Sequence, residues 1–286
     1  TADIHYSLFI LETLWSIGAG MVLLGLMIHL PFRIILITGL VILLGHNLMD
    51  IVEANRNTPP PFWWNILHQP GFKQLGGGHS LFVFYPMLPW AGLMLLGYCC
   101  GKLFTHKAAS ERNRILRYTG IAAIVFFILV RFINVYGDPR PWKSQPSTLR
   151  TFFAFMNVQK YPPSLLFACA TTGPLLLALS FLKEAQSRLA KAASVIGRVP
   201  LFYFAVHFFI LHFAQIIYFF LSGHTMAEGL KGSPQSLFKF SAPGEGFSLG
   251  IVYLVWMAIV LLMYPLCKRY DRYKLSHKEK WWLSYL

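Results

Sequence analysis

Long apolar stretches separated by short polar segments dominate the chain. A helix needs roughly 20 mostly apolar residues to cross the hydrocarbon core of a bilayer. Seven stretches reach or approach this length: residues 7–29, 33–48, 81–101, 115–135, 162–182, 200–221 and 247–267. The pattern predicts an all-α fold, a polytopic transmembrane helical bundle with about seven spans in this chain.

Two of the seven stretches depart from a simple span. The second, residues 33–48, is short. The third contains Pro86 and Pro89, which predict a kinked or broken helix. Neither a repeat of fixed period nor a separate soluble region interrupts the series, so we expect a single integral-membrane domain over residues 1–286.

Composition also favours burial in lipid. Of the 286 residues, 56% are hydrophobic and 13% are charged, whereas soluble domains average roughly 45–50% and about 25%. These values exclude a soluble fold and an intrinsically disordered chain. The four cysteines lie inside apolar runs without a CxxC spacing, so we expect buried thiols and no disulfide. No zinc-type spacing of Cys and His occurs, and we expect no metal site.

The net charge of +14 is explained by membrane orientation. Lys and Arg exceed Asp and Glu by 4 in residues 102–117, by 3 in 183–198 and by 4 in 268–286. Loops with such an excess lie on the cytoplasmic side, which places the C-terminus in the cytoplasm. Residues 50–79, 136–161 and 222–246 then face outward. The basic residues therefore do not indicate a nucleic-acid partner, and none is expected.

Arg131 is the charged residue that lies deepest within a predicted span. Arg131, Asn134 and Asp138 are spaced i, i+3 and i+7, which places them on one face if the helix continues that far. Charged groups in hydrocarbon are costly unless they face a cavity or a partner. The spacing predicts either a polar functional site or a structural ion pair, and snorkelling to the interface is a further alternative.

Histidines occur at membrane depth in two other spans. Tyr203 and His207 are four residues apart and share a helical face, so His207 is a candidate for lining a functional cavity. The alternative is a hydrogen-bonded structural histidine. His46 and Asp50, also four apart, predict a pair that orients a proton carrier or caps the helix end.

A helix start at residues 160–164 carries two further candidates, Tyr161 and Ser164. Paired prolines at Pro162 and Pro163 fit a first helical turn. The N–H groups of such a turn predict a pocket for an anion or a developing oxyanion. An ordinary helix start explains the same residues.

Several separate segments resemble bacterial membrane proteins of the heparan-α-glucosaminide N-acetyltransferase family. The resemblance runs from about Leu8 to the C-terminus. The segments that carry it are residues 85–98 (YPMLPWAGLMLLGY), 134–139 (NVYGDP), 160–166 (KYPPSLL), 197–203 (GRVPLFY) and 281–286 (WWLSYL).

The resemblance implies a transmembrane acyltransferase of the bacterial inner membrane. Members take an acetyl group from cytoplasmic acetyl-CoA, a co-substrate, and deliver it to a sugar amine or hydroxyl across the membrane. Membrane lipids and a glycan acceptor are the implied partners. Arg198 is the expected contact for the CoA phosphates, and Arg131, Asn134, Tyr161, Ser164 and His207 are the candidate catalytic residues.

One feature of the family has no counterpart here. Its catalytic histidine lies in early helices upstream of the region that this chain resembles, and the chain begins with Thr1 rather than Met. We therefore expect that the N-terminal spans are missing and that the chain forms the C-terminal part of a larger acyltransferase-like domain.

Two other functions fit the same sequence features. A broken third span, a deep Arg131 and large outward loops are also typical of a transporter or flippase for an anionic glycan or lipid precursor. A scaffold subunit of an envelope complex would tolerate loss of Arg131 and His207. The sequence determines neither the acceptor nor the oligomeric state, and a homo-oligomer is compatible with it.

Overall fold

The computed structural model describes residues 7–182, 187–232, 239–241, 244 and 246–284. The chain divides into two compact units, the first described over residues 7–182 and the second over the described residues from 187 onward. Each unit is a set of helices with its own buried core.

The first unit contains eight helices and three strands among its described residues. In chain order they are β1 (Leu8–Leu11), α1 (Thr13–Met27), α2 (Phe32–Gly45), α3 (Leu48–Ala54), α4 (Phe62–Leu67), β2 (Gly71–Gly76), β3 (His79–Val83), α5 (Met87–His106), α6 (Ala109–Ile133), α7 (Thr148–Met156) and α8 (Leu165–Phe181).

Two groups of packed helices form the core of this unit. Helix α5 packs against α1 and α2 around Ile35, Leu95 and Cys99, and α6 packs against α8. Helices α6 and α8 approach closely because Gly120 faces the backbone of α8: a Cβ at Gly120 would lie 2.8 Å from both the Gly173 oxygen and the Leu177 nitrogen. This close approach brings the polar ends of α6 and α8 together.

A small sheet was not expected from the apolar pattern. Its strand order is β1-β3-β2, with β1 parallel and β2 antiparallel to β3. Gly76, Gly77 and Gly78 all have positive φ and form the tight turn between β2 and β3. The predicted spans 7–29 and 81–101 therefore each begin with a strand, and their helices start later, at Thr13 and Met87. The predicted break at Pro86 is the start of α5, since Pro86 directly precedes it.

The second unit is helical throughout its described residues. It contains α9 (Arg188–Gly197), α10 (Pro200–Leu221), α11 (Met226–Lys231), α12 (Leu249–Ser276) and a 3₁₀ turn (Trp281–Ser284). Val199, Met263 and Cys267 form its buried core. Helix α10 has the predicted bounds, with Pro200 in its first turn.

The helices confirm an all-α polytopic membrane fold. Five described helical segments are long and apolar enough to cross a bilayer. They are Phe32–Ala54, which comprises α2 and α3, and the helices Met87–His106, Ala109–Ile133, Pro200–Leu221 and Leu249–Ser276. Thr13–Met27 and Leu165–Phe181 are shorter apolar helices in the positions of the other two predicted spans. Many large apolar side chains on these helices are exposed, as expected for surfaces that lipid covers. All four cysteines are free thiols, as predicted.

Candidate functional site

Buried polar side chains of the first unit gather at one end, which we call the polar end. Helices α1, α5 and α8 begin at this end, α3 and α6 end there, and α4, α7 and the sheet connect them. Arg131, His46, Asn47, His68 and Ser164 are all buried there. Buried polar groups are costly without partners, so their contacts define what the site can do.

Arg131 at the end of α6 is 1% exposed. Its guanidinium donates hydrogen bonds to backbone carbonyl oxygens. Nε donates to the Phe155 oxygen at 2.9 Å, NH1 to the Arg140 oxygen at 3.0 Å, and NH2 to the Ala154 and Asn157 oxygens at 3.3 and 2.9 Å. The side chain is thus inside the protein and does not snorkel. Its contacts join α6 to the segment that contains α7.

Asp138 joins two of the predicted residues. Its Oδ1 lies 3.8 Å from NH1 of Arg131, and its Oδ2 accepts the Ser164 hydroxyl at 2.7 Å. The amide nitrogens of Gln159 and Arg140 also donate to this carboxylate. The arrangement is the predicted Arg131 and Asp138 ion pair, extended to Ser164.

The helical face predicted for Arg131, Asn134 and Asp138 is wrong in detail. Helix α6 ends at Ile133, and Asn134 adopts a left-handed conformation with φ of 58°. The Asn134 amide exchanges two hydrogen bonds with the backbone of Trp142, both 3.0 Å long. Asp138 therefore reaches Arg131 because the chain turns back, and not because the helix continues.

Of the two interpretations of the start of α8, the structure supports the ordinary helix start and not the anion pocket. Asn47 Oδ1 accepts the Leu165 amide at 2.8 Å, and the Gly137 oxygen accepts the Leu166 amide at 2.9 Å. The hydroxyl of Ser164 accepts the Phe167 amide at 3.0 Å. Protein groups already satisfy the amides that were expected to bind an anion.

Tyr161 lies against the aromatic residues that precede α5. Its hydroxyl is 3.2 Å from the Tyr85 hydroxyl, and its ring stacks on Phe84. Burial raises the pKa of Tyr85. A hydrogen bond with Tyr161 raises the pKa of the neighbouring Lys160 ammonium. The Tyr85 phenol is therefore expected to stay protonated and to be available as a hydrogen-bond donor at neutral pH.

A second group of polar residues, which we call the His46 cluster, comprises His46, Glu53, Trp64 and His68. His46 and His68 are 1% and 0% exposed. Nδ1 of His46 lies 3.3 Å from Nε2 of His68, whose Nδ1 lies 2.7 Å from Glu53 Oε1. The Trp64 indole donates to the same Glu53 oxygen at 2.6 Å. The four side chains form one hydrogen-bonded series.

Asn47 connects the His46 cluster to the start of α8. Its Nδ2 donates to Asp50 at 2.7 Å while its Oδ1 accepts the Leu165 amide. The predicted partnership of His46 with Asp50 is therefore replaced by two others, His46 with His68 and Asp50 with Asn47. The Tyr136 hydroxyl also donates to the Leu44 oxygen, and burial raises the pKa of Tyr136.

Three of these residues have ligand-type atoms close enough for a metal ion. Such atoms of Asp50, Glu53 and His68 lie within 4.8 Å of one another. However, two ligands of one tetrahedral zinc, each about 2.0–2.1 Å from it, lie roughly 3.3 Å apart. The 2.7 Å between Glu53 and His68 is a hydrogen-bond distance, and Glu53 Oε1 already accepts the Trp64 indole. The geometry fits a hydrogen-bonded network better than a metal centre.

The second unit holds the other two predicted residues. His207 in α10 donates through Nδ1 to the Tyr203 oxygen at 2.8 Å, and its ring stacks on Tyr203, which confirms their common face. Arg198 binds Asp271 through Nε and NH2 at 2.8 and 2.6 Å, and its NH1 donates to Ser194. The hydrogen bond with Asp271 raises the pKa of Arg198. The guanidinium expected to hold CoA phosphates is thus already engaged by a carboxylate.

Replacement of Arg198 by Ala should destabilise the protein by about 1–3 kcal/mol, because it leaves the largely buried Asp271 carboxylate without its donors. Thermal unfolding in detergent measures the loss. The double variant Arg198→Ala with Asp271→Asn should recover part of it, since the unpaired charge is gone. Equal loss in the single and double variants would show that the ion pair contributes little to stability.

A cavity of the first unit borders the segment that binds Arg131 and Asn134, since Phe155 and Trp142 line it. It has a volume of about 560 Å³ and lies between α6, α7 and α8. Its lining includes Phe127, Phe132, Trp142, Phe155 and Met156 and is apolar apart from two threonines. No titratable side chain is among its lining residues.

Sequence reasoning did not identify Glu53, Trp64 or His68 as site residues. A signal for Glu53 existed, because it follows Asp50 by three residues in a chain with only 11 acidic residues. His68 and Trp64 gave no such signal, since the loop between the spans has no period that relates it to α3.

The fold and this site define a polytopic membrane protein with a buried polar cluster at one end of its first unit. Residues 4–133 match the sequence model of the family described as heparan-alpha-glucosaminide N-acetyltransferase, catalytic. Over these residues, which make up less than half of the chain, the match confirms the resemblance predicted from the sequence. No curated protein and no solved structure matches the chain.

The matched region contains the whole His46 cluster and Tyr85. Asn134, Asp138, Tyr161 and Ser164 lie beyond it. The family match therefore covers one half of the polar end, and the structure adds the other half.

Proposed function

We propose that the chain is a transmembrane acetyltransferase that moves an acetyl group from cytoplasmic acetyl-CoA to a sugar amine or hydroxyl across the membrane. The observation that carries this proposal is the match to a catalytic family model over the same residues that form the His46 cluster. Acetyl transfer needs groups that accept and donate protons in a site from which bulk water is excluded. The buried polar end offers both.

The predicted catalytic residues divide by what they contact. The side chains of Arg131 and Asn134 donate hydrogen bonds to backbone carbonyls. These bonds support a structural role for both residues at the polar end. Tyr161 presents a phenol beside Tyr85, and Ser164 presents a hydroxyl bound to Asp138. We assign acceptor binding to Tyr161 and Ser164, and we retain His207 as a candidate of the second unit.

In this proposal, acetyl-CoA, the donor of the acetyl group, binds from the cytoplasmic side. The excess of basic residues that would attract the CoA phosphates lies in segments 102–117, 183–198 and 268–286. Arg198 remains our proposed contact, and its ion pair with Asp271 would have to open or share the guanidinium with a phosphate. Inner-membrane location, a cytoplasmic C-terminus, lipid contact and assembly into a homo-oligomer belong to the same proposal.

The function is tested with the protein in liposomes that enclose an amino-sugar acceptor, while acetyl-labelled acetyl-CoA is added outside. We expect labelled N-acetyl product inside the liposomes, because the transfer crosses the bilayer. Glu111→Gln serves as the matched control, since Glu111 is an exposed partner of Lys107 on the first turn of α6 and should leave the rate unchanged.

The opposite result would identify the competing function. No acetylated product over a broad panel of amino and hydroxyl sugars would overturn the proposal. Protein-dependent passage of an unmodified glycan across the same bilayer would instead favour a transporter.

A further inference from the structure

The hydrogen bonds of the His46 cluster indicate which of its nitrogen atoms carry a proton. An indole N–H can only donate, so Glu53 Oε1, 2.6 Å from Trp64, is an acceptor. Nδ1 of His68 lies 2.7 Å from the same oxygen and therefore carries a proton.

The same reasoning continues to the second ring. With its proton on Nδ1, a neutral His68 has only a lone pair on Nε2. His46 Nδ1, 3.3 Å away, must then donate, which leaves a lone pair on His46 Nε2. That atom is buried and has no hydrogen-bond partner among the described residues. Protein interiors rarely leave such a group unpaired, and those that remain often have a chemical role.

We propose that His46 is a general base of the acetyl transfer within this chain, in addition to the upstream histidine that the family resemblance implies, and that His68 and Glu53 position its ring. This inference rests on the proposed function. His46 Nε2 removes the proton from the acceptor nitrogen or oxygen as that atom bonds to the carbonyl carbon of acetyl-CoA. The C–S bond breaks, and the proton passes from His46 to the departing CoA thiolate.

In this proposal, the Glu53 carboxylate at the far end of the series stabilises the protonated rings. When His46 accepts a proton on Nε2, its Nδ1 proton can move towards His68, and the positive charge is shared between two rings that end at Glu53. A fixed carboxylate stabilises the imidazolium in this way without taking up the proton itself. Asp50, which interacts electrostatically with His68, is the other carboxylate on this side of the cluster.

Access to His46 requires a local rearrangement. Nε2 is covered in this structure, and catalytic contacts of unliganded enzymes often form only when the substrate is bound. The covering also excludes bulk water, so the lone pair is not hydrated before the acceptor arrives.

The tautomers are tested by nuclear magnetic resonance of the ¹⁵N-histidine-labelled protein in detergent micelles. We expect His46 and His68 each to carry the proton on Nδ1, with both signals assigned through His46→Gln and His68→Gln. Glu53→Gln should reduce the fraction of His68 that carries its proton on Nδ1, whereas Glu111→Gln should leave the tautomers of both rings unchanged. Proton-bearing Nε2 on His46 in the unmodified protein, or no effect of Glu53→Gln, would overturn the proposal.

Activity in the liposome assay provides the second measurement. His46→Gln should lower kcat by about 10²–10⁴-fold, the usual contribution of a general base. His29→Gln, at an exposed site after α1, should change it less than twofold. If His46→Gln retains the rate while the unmodified protein acetylates, the proposed base is wrong and the proposed function stands. If the unmodified protein does not acetylate, the function is wrong, and the tautomers still test the proton arrangement.

Zinc provides the last comparison. Added zinc should leave the ring nitrogen signals of His46 and His68 unchanged, because Glu53 and His68 are at hydrogen-bond distance. Zinc-dependent shifts at both rings that are lost in His68→Gln would show a metal site in place of the proposed base.

Discussion

Replacement of Arg131 by Ala should destabilise the protein by about 3–5 kcal/mol. Four backbone carbonyls from the segment after α6 lose their donor. Asp138, which is also buried, loses its cation. Removal of one member of a buried ion pair is costly because the other charge stays in a poorly solvated site.

Thermal unfolding in detergent and the fraction of monodisperse protein measure this effect. Arg140→Ala is the matched control, because Arg140 is exposed and the site uses only its backbone carbonyl and amide. Arg131→Lys should recover little, since an ammonium cannot reproduce the planar arrangement of donors. Equal stability of Arg131→Ala and Arg140→Ala would contradict the structural role.

Replacement of Gly120 by Ala should also destabilise the fold, by about 1–3 kcal/mol. The new Cβ would lie 2.8 Å from the Gly173 oxygen and from the Leu177 nitrogen. Both are backbone atoms of α8, so the overlap can be relieved only if the two helices move apart. The separation would also weaken the contact of Asp138 with Ser164.

Gly97→Ala is the control for this prediction. Gly97 lies within α5, and nothing lies within 4 Å of a Cβ at that position. Alanine in a helix is more stable than glycine by roughly 1 kcal/mol, so Gly97→Ala should be neutral or slightly stabilising. A similar result for Gly120→Ala would mean that α6 and α8 are not in tight backbone contact.

The helical bundle was predictable because lipid imposes a simple rule on the sequence. A span must be apolar over about 20 residues and must satisfy its own backbone hydrogen bonds. Residues 200–221 were predicted to the residue, and the other spans lie in the predicted order. The strands were missed because β1 and β3 are as apolar as the helices that follow them, so hydropathy does not separate them.

Individual candidates at the polar end were predictable from the cost of placing polar groups in hydrocarbon. Arg131 was recognised on this basis, whereas Ser164 was identified from the predicted helix start and His46 from its spacing with Asp50. Their partners were not, because the contacts join residues far apart in the chain: Asn47 to Leu165, His46 to His68 and Asp138 to Ser164. The alternative of an anion pocket at Ser164 was also not met, since Asn47 and the turn after α6 satisfy the amides there.

The sequence by itself determined the class of the protein, the order of its spans, its resemblance to a transferase family and the residues worth testing. Only the tertiary structure decided that Arg131 holds backbone carbonyls, that Arg198 pairs with Asp271 and that His46, His68 and Glu53 form one series. The physical reason is that membrane burial depends on local composition, whereas proton positions and charge compensation depend on atoms within about 3 Å, which packing alone brings together.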